Sequence, residues 1–375
     1  MSRNFVCGSA SCTACGACID SCPFNALELS FEEYGELAPK VDYEKCQECG
    51  VCHKVCPALH PAELHMPTRT YAAWSKKGCD VRLSSSGGVA AVLSRSVIES
   101  GGVVFSTAVV DGSARCVEAS SLDEIDNLRG SRYVYSAPSD CYKKIKAYLR
   151  KGVQVLFVST PCQIAALRSI LGSKDWNLIC VDLICHGTPS PALLEEHFRD
   201  RGVAAWDSFS FRGERDFKLC AYSNQEIVYE KPCFEDEYFS AFVTGIIHRN
   251  ACYECPYACN KRAGDLTIGD FWGLDKESLK VIPPGKVSLV LVNTPVGLEV
   301  IDGLREDLYL ERRSFLEADN ESQTNLHAPS TWTKDRNRFM KKYRRHGFDA
   351  SVHATLAWKR FRLRKLKHRL LEILS

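Results

Sequence analysis

The sequence predicts an α+β protein of three parts: a small cysteine-rich domain, a larger α/β body and a basic helical C-terminal segment. Three observations support this prediction. Two similar cysteine runs occupy residues 12–57, apolar strands and helices alternate from residue 70, and Lys and Arg are concentrated near the end of the chain. We expect the three parts to span residues 1–62, 70–310 and 311–375.

Two cysteine runs with the pattern C-x2-C-x2-C-x3-C-P define the first part. They contain Cys12, Cys15, Cys18 and Cys22, and then Cys46, Cys49, Cys52 and Cys56. Such short gaps let three thiolates surround one face of an iron–sulfur cubane, and the proline after the fourth cysteine stops a helix from continuing. Gly16 and Gly50 permit close approach of the backbone. Zinc is the alternative, because paired C-x2-C units also form structural zinc sites.

The two runs together resemble a two-cluster bacterial-type ferredoxin domain, in which the fourth cysteine of each run ligates the other cluster. The resemblance implies two 4Fe-4S clusters. The first would be bound by Cys12, Cys15, Cys18 and Cys56. The second would be bound by Cys46, Cys49, Cys52 and Cys22. Cys7 precedes the first run and is predicted to be an unligated thiol nearby.

The composition indicates an intracellular protein of two or three domains. The chain has 375 residues, 45% of them hydrophobic and 25% charged, so it can bury a sizeable core. The 20 cysteines are not expected to form disulfides, because we find neither a signal peptide nor an apolar run long enough to span a bilayer. Reduced cysteines predict a cytoplasmic and anaerobic setting. The net charge of +2 does not indicate a class of partner.

The body opens with a strand around Tyr71–Trp74 and a serine- and glycine-rich element that leads into a helix ending near Ile98. The element contains Ser85, Ser86, Gly87 and Gly88. Its hydroxyls and free backbone N–H groups are suited to holding a phosphate or another anion, or they simply cap the helix.

Two later strands end in cysteines. A strand over residues 153–159 leads to Cys162 at the start of a helix, and a strand over residues 177–184 leads to Cys185 and His186. Binding sites are commonly built where the carboxyl ends of parallel strands meet. A helix N-terminus also favours a thiolate at Cys162, whether as a ligand or as a reactive sulfur.

A third cysteine group has the spacing C-x2-C-x3-C. It consists of Cys252, Cys255 and Cys259, which supply three ligands and require a remote fourth. Cys162 or Cys185 is the candidate for that fourth ligand. A third iron–sulfur cluster, a zinc site and a turn without metal remain open.

The body as a whole resembles the family of coenzyme F420 hydrogenase/dehydrogenase beta subunits over about residues 70–310. The resemblance rests on the segments 85–88, 130–134, 160–163, 182–190, 211–213, 252–259 and 268–273. It implies an FAD held in the body, with electrons passing between this flavin and the clusters. The substrate does not follow from it.

Carried onto this chain, the resemblance makes Ser85, Ser86, Gly87 and Gly88 the flavin cradle. It adds Ser131, Arg132 and Tyr133 to the flavin or substrate face, although Arg132 also fits a surface salt bridge and Tyr133 a core aromatic residue. His186 is a candidate proton relay, against a structural role. Asp270 fits either an orienting role or a turn.

These expectations combine into an FAD-dependent iron–sulfur oxidoreductase. Electrons would pass between an external ferredoxin or another redox partner, the clusters and FAD, and a small organic substrate or coenzyme F420 would react at the flavin. The alternative is an electron-transfer subunit of a larger complex without a substrate site of its own. The direction of electron flow is not predicted.

The C-terminal segment predicts an amphipathic basic helix. Trp358, Phe361, Leu366, Leu370 and Leu374 recur at mostly helical spacing among Lys and Arg residues. Either this apolar face packs on the body, or the helix docks a partner protein or lies on an anionic membrane surface. Nucleic-acid binding is not expected, because no recognition fold accompanies the charge.

Overall fold

The N-terminal domain is built from a hairpin and two one-turn helices. The computed structural model describes residues 6–8, 10–31, 35–138, 140–172, 174, 176–213, 217–360 and 362–363. Strands β1 (Leu27–Phe31) and β2 (Leu37–Val41) pair antiparallel between the two cysteine runs. Helices α1 (Ala17–Asp20) and α2 (Val51–Lys54) each follow a glycine with positive φ, in the left-handed conformation that favours glycine.

An eight-stranded mixed sheet forms the centre of the body. Its strands are β3 (Arg69–Ser75), β4 (Val103–Val110), β5 (Ser113–Ala119), β6 (Val155–Ser159), β7 (Leu178–Leu183), β11 (Leu266–Asp270), β12 (Ser288–Val292) and β13 (Leu308–Arg313). Their spatial order is β13-β3-β12-β11-β7-β6-β4-β5. The four middle strands β11, β7, β6 and β4 pair parallel to one another. Their carboxyl ends therefore meet at one edge of the sheet. The large mixed sheet confirms the predicted α/β body.

Helices cover both faces of this sheet. They are α3 (Gly78–Leu83), α4 (Val89–Glu99), α5 (Ile125–Leu128), α6 (Cys141–Arg150), α7 (Pro161–Leu171) and α10 (Pro295–Gly303), with the short α11 (Phe315–Ala318) near the β3 edge. The apolar side chains of α4 pack with one set of alternating strand residues, and those of α6 and α7 pack with the other set. Both faces of the parallel strands are therefore buried, as parallel sheets require.

A smaller layer packs beside the sheet around an aromatic core. It contains the antiparallel strands β8 (Ser208–Ser210), β9 (Lys218–Ser223) and β10 (Glu226–Pro232) and the helices α8 (Pro191–Asp200), α9 (Glu237–Val243) and α12 (Lys334–His353). Its fully buried rings include Phe198, Phe211, Phe239 and Phe348. Apart from α12, this layer lies in the sequence between β7 and β11, and it forms one wall of the cavity described below.

The structure shifts two predicted boundaries. The helix predicted to follow the serines, α4, begins only at Val89, because Gly88 has a φ of 83°, and Ser84, Ser85 and Ser86 before it form no helix. The predicted boundary at residue 310 falls inside β13, whose residues pair with β3 across the sheet.

The residues after β13 continue into the body. Phe339, Phe348 and Trp358 are buried in the aromatic core, so the apolar face of the segment starts by packing inward. The rest of the predicted basic helix, with Phe361, Leu366, Leu370 and Leu374, lies outside the described residues. Over the part of the chain that is described, no helix is both long and apolar enough to cross a bilayer.

Candidate iron–sulfur centres and cofactor cavity

The cysteines predicted to bind the first cluster come together in the structure. Cys12, Cys15, Cys18 and Cys56 line one small cavity. Cys56 reaches it from the second run, and its sulfur is close enough to influence the pKa of Cys18. Cys7 lines the same cavity, with its thiol in hydrogen-bonding contact with Cys12 and Cys56. The first run therefore offers a compact thiol set suited to a 4Fe-4S cluster.

The second cysteine set also has one member close to it from the other run, but this set faces solvent. Cys52 lies close to Cys49 and to Cys22 from the first run, which agrees with the predicted exchange of fourth cysteines. Cys49 is exposed and its neighbours Gln47 and Glu48 are exposed as well. This end of the domain is accessible from solvent.

The loop of the first run is fastened to the body at three consecutive carbonyls. The Tyr135 and Tyr142 hydroxyls donate to Ala14 O and Cys15 O, each at 2.7 Å. Arg249 Nη1 donates to Thr13 O at 2.8 Å. All three donors are buried. The first cysteine set is thus held against the body, while the second set points away from it.

The third cysteine group meets both strand-end cysteines. Cys185 is close enough to Cys252, Cys162 and Cys255 for their charges to act on its pKa, which burial raises first of all. Burial likewise raises the pKa of Cys255 to about 12, with further contributions from Cys162 and Cys252. Cys259 differs, because its sulfur contacts Pro256 O at 3.5 Å and Lys261 O at 3.3 Å within its own turn. Several thiols this close to one another are suited to a shared metal centre, whose positive charge would stabilise their thiolates.

A buried ion pair holds the loop that carries this third group. Arg262 and Asp182 are 1% and 0% exposed, and Arg262 Nη2 lies 2.9 Å from Asp182 Oδ1. Arg262 also donates to Tyr257 O and Cys259 O, and Asp182 accepts the N–H groups of Ala263 and Gly264 at 2.9 Å. The turn after Cys252 is therefore fixed to the end of β7.

A cavity of about 700 Å³ opens at the carboxyl ends of the parallel strands. Cys162, Cys185 and Thr13 lie in its wall, which places it beside the third cysteine group and next to the first run. The size is in the range of small-molecule and cofactor sites. The predicted location of the site at the strand ends agrees with this geometry.

Three residues of the predicted flavin cradle line this cavity, and one does not. Ser85, Ser86 and Gly88 belong to the lining together with the first turn of α4. Gly87 packs away from the cavity, because a Cβ there would overlap Ala73 O and its own N–H donates to Ser288 Oγ at 2.8 Å. Its role in the structure is close packing of the loop on β3 and β12.

The second predicted segment also reaches the cavity. The Ser131 N–H donates to Ser85 Oγ at 2.6 Å, so the two segments form one wall. Burial lowers the pKa of Arg132 to about 10, and its Nε has no hydrogen-bond partner among the described residues. Arg132 Nη1 donates to Arg129 O at 2.7 Å, and no carboxylate pairs with the guanidinium among those residues, so the salt-bridge alternative finds no support there. A guanidinium without a carboxylate partner beside a cavity suits an anionic ligand. Tyr133 is both a core aromatic residue, stacked on Phe242, and part of the lining.

One polar pair on the cavity wall was not predicted as a unit. Arg212 Nη2 lies 2.7 Å from Asp270 Oδ2, and Arg212 Nε donates to the Tyr133 hydroxyl at 3.0 Å. Asp270 ends β11, whereas Arg212 follows β8, so only the fold brings them together. The Phe211-Arg212-Gly213 segment is the sequence signal that points to Arg212.

His186 lines the cavity with both ring nitrogens in use. Its Nδ1 lies 2.9 Å from Asn325 Oδ1 and its Nε2 lies 3.1 Å from Val243 O. His248 packs against it at 5.0 Å between ring centroids, and burial keeps the pKa of His248 well below its usual value. These contacts favour a structural His186, because a proton relay needs a nitrogen free to face the reacting group.

Comparison with known proteins agrees with this arrangement of domain and body. Residues 11–59 match the family model of the 4Fe-4S dicluster domain, and residues 152–317 match the model described as the C terminus of the beta subunit of coenzyme F420 hydrogenase/dehydrogenase. The fold and the cysteine sets define an iron–sulfur protein with a dicluster domain seated on an α/β body. Residues 152–317 thus carry the domain described as the C terminus of the coenzyme F420 hydrogenase/dehydrogenase beta subunit, which confirms the predicted resemblance over that part of the body.

Individual relatives cover different parts of the chain. The F subunit of the F(420)H(2) dehydrogenase of Methanosarcina mazei is 21% identical over 324 residues, which are 79% of this chain and 83% of the relative. An uncharacterised protein of Methanocaldococcus jannaschii is 21% identical over 52% of this chain, and the chain spans 65% of that relative, just under two thirds of its length. A ferredoxin-like protein of the nif region of Sinorhizobium fredii is 46% identical over 55 residues, which are 13% of this chain and 78% of the relative.

Proposed function

We propose that the chain is an FAD-dependent iron–sulfur oxidoreductase that moves electrons between a redox partner protein and a small organic substrate or the deazaflavin coenzyme F420. The observation that carries this proposal is the sequence of sites from the surface to the interior. The second run with its exposed Cys49, the first run held against the body, the third cysteine group and the large cavity follow one another. Cys15 of the first run lies close to Cys162, so the two buried sets are neighbours.

The cavity residues fit a dinucleotide with a negative charge. Arg132 offers a guanidinium that has no carboxylate partner among the described residues, and the first turn of α4 offers backbone N–H groups beside Ser85 and Ser86. Arg129, also in the lining, is already neutralised by Asp80 at 2.8 Å, which leaves Arg132 as the better anion ligand. When bound, FAD supplies the conversion between two-electron and one-electron chemistry. The protein residues would bind it, orient it and exclude water.

For the third cluster we propose Cys162, Cys185, Cys252 and Cys255 as ligands. The predicted set combined Cys259 with one of the two strand-end cysteines. The proposed set keeps both strand-end cysteines and replaces Cys259, whose sulfur is turned toward carbonyls of its own loop. Cys162 and Cys185 follow the adjacent parallel strands β6 and β7, so the sheet itself brings them together.

The second candidate function is an electron-transfer subunit without a substrate site. The relative from Methanosarcina mazei is described as a subunit, and the exposed second run offers a face for a partner protein. In that case the cavity would bind flavin but no organic substrate would change the flavin spectrum. Both candidates share the clusters and the flavin.

The test is the content of anaerobically purified protein. We expect about twelve iron and twelve sulfide per chain, which correspond to three cubanes, together with one FAD and no zinc. About eight iron and no flavin would contradict the proposal and leave a dicluster protein with another body function. Bleaching of the flavin by a reduced substrate or reduced F420 would separate the enzyme from the electron-transfer subunit.

Two matched pairs of variants test the residues. Arg132→Gln should lose flavin and keep its iron, whereas Arg82→Gln, on the exposed side of α3, should keep both. The Cys185→Ser protein should contain about four fewer iron atoms per chain than the parent protein, whereas the Cys259→Ser protein should keep the parent iron content. The reverse result for the cysteines would restore Cys259 to the ligand set.

A further inference from the structure

Arg249 lies between the first cysteine run and the third cysteine group and is 4% exposed. Its Nη1 donates to Thr13 O at 2.8 Å, next to Cys12. Its Nε and Nη2 donate to Thr188 Oγ1 at 3.3 and 3.2 Å, in the loop that carries Cys185. The Cys252 N–H in turn donates to Arg249 O at 2.9 Å. One guanidinium thus touches the ligand loops of both buried thiol sets.

The positive charge of Arg249 is not balanced by a carboxylate in contact. Within the described residues three arginines are buried: Arg262 pairs with Asp182 at 2.9 Å and Arg336 with Glu36 at 3.5 Å, but Arg249 has no carboxylate oxygen within 4.0 Å. Burial alone would lower the pKa of Arg249, yet its pKa is raised, chiefly by the Cys252 thiolate, with Tyr135 and Cys162 contributing. The negative groups that act on Arg249 are therefore the sulfurs of Cys252 and Cys162 and, from beyond contact distance, the Glu36 carboxylate.

We propose that Arg249 is the shared counter-charge of the two buried clusters and raises their reduction potentials relative to that of the outer cluster. The inference rests on the proposed function, since it requires clusters at both sets. Taking up one electron makes a cluster more negative by one charge, with no bond made or broken. A fixed cation at a buried site, where the effective dielectric constant is low, stabilises that reduced state. The second run has no contact with Arg249 among the described residues, so the potential of its cluster should change least.

The test is a redox titration of the whole anaerobic protein, followed by electron paramagnetic resonance. In Arg249→Gln we expect two of the three cluster potentials to become more negative. At a fixed potential the reduced-to-oxidised ratio should fall at least tenfold, which is about 59 mV for a one-electron couple. Arg249→Lys, which keeps the charge, should restore most of the shift. Unchanged potentials in an Arg249→Gln protein with full iron content would overturn the proposal.

A second pair leaves Arg249 in place. Thr188→Asp puts a carboxylate beside the guanidinium and Thr188→Asn puts a neutral group of similar shape there, so only the former should lower the two potentials. If Arg249→Gln loses iron and its potentials are not measurable, this pair of variants tests the charge effect of Arg249 instead. Equal shifts in both Thr188 variants would overturn the proposal.

Tyr135→Phe separates charge from anchoring. It removes the neighbouring hydrogen bond to Ala14 O but keeps the arginine, so the potentials should stay as in the parent protein. A shift as large as that of Arg249→Gln would show that loop anchoring sets the potentials and would overturn the proposal. Absence of a third cluster from the parent protein contradicts the proposed function separately. The role of Arg249 is then tested on the first cluster alone.

Discussion

The two cysteine runs are nearly the same in sequence and lie in opposite environments. Ala14 in the first run and Glu48 in the second occupy equivalent positions and share a φ of 51°. Yet Ala14 is 3% exposed and Glu48 is exposed. The carbonyls at positions 13–15 accept hydrogen bonds from the body, whereas the matching residues 47–49 face solvent. A single motif therefore supplies both an inner and an outer site, and the surroundings set the difference.

The largest difference should appear when the two motif glycines are replaced. Gly16 and Gly50 have φ values of 82° and 75°, so alanine is strained at both, by about 1–2 kcal/mol. A Cβ on Gly16 would also overlap Pro138 Cγ, whereas one on Gly50 has no described atom within 4 Å. Overpacking adds about 1–3 kcal/mol. Gly16→Ala should therefore lower the free energy of unfolding by about 2–5 kcal/mol, and Gly50→Ala by only about 1–2 kcal/mol. Urea unfolding of the anaerobic proteins measures both values.

Gly78→Ala is the control for these two variants. Gly78 lies at the start of α3 without a positive φ, and a Cβ there meets nothing within 4 Å among the described residues. Its replacement should leave the unfolding free energy nearly unchanged. Equal losses at Gly16 and Gly50 would show that the first run is not seated against the body as described.

The dependence of the inner run on the body should also appear in the response to pH. His197 is 0% exposed, with Nε2 at 2.9 Å from Asp236 and Nδ1 at 3.0 Å from Asp349. Tyr229, Glu237 and Arg201 complete this network. Burial alone would lower the pKa of His197, but the carboxylate of Asp236 and then that of Asp349 raise it to about 9.

Because the folded pKa exceeds the unfolded value of about 6.5, this stabilisation is complete below pH 6.5 and is lost as pH rises toward 9. The loss of unfolding free energy is about 3 kcal/mol at most. Urea unfolding from pH 6 to 10 should show this slope, and His197→Gln should remove it. Iron of the inner cluster should become accessible to a chelator over the same pH range, whereas release from the outer cluster should not follow it. A slope that persists in His197→Gln would assign it to other groups.

The next effect concerns the hydroxyls that hold the inner loop. Tyr135→Phe and Tyr142→Phe each leave a carbonyl of the first run without its donor, which should cost about 1–2 kcal/mol. Tyr148→Phe is the control, because its hydroxyl bonds to Glu118 away from both runs. We expect faster iron loss from the inner cluster in the first two variants only. Equally fast iron loss in Tyr148→Phe would mean that the effect does not come from the hydrogen bonds to the first run.

The sequence predicts the repeated parts of this molecule better than their surroundings. The ligand pattern and the strands that end before Cys162 and Cys185 follow from spacing and apolar runs, which are local signals. Which run faces the body depends on Tyr135, Tyr142 and Arg249, and these lie more than a hundred residues away in the chain. The Arg212–Asp270 pair depends likewise on contacts between distant segments. Local patterns do not encode such contacts, so the structure was needed to order the sites.

The smallest predicted effect uses the two left-handed residues themselves. Glycine adopts a positive φ without the strain of a Cβ, so Glu48→Gly should stabilise the protein by about 1 kcal/mol. Ala14→Gly relieves the same strain but removes a buried methyl group, which costs about 0.8 kcal/mol, so its net effect should be close to zero. Paired urea unfolding experiments on the anaerobic proteins would resolve the difference. An equal gain at both positions would mean that the Ala14 methyl contributes no packing, and the contrast between inner and outer run would then depend on the hydrogen bonds alone.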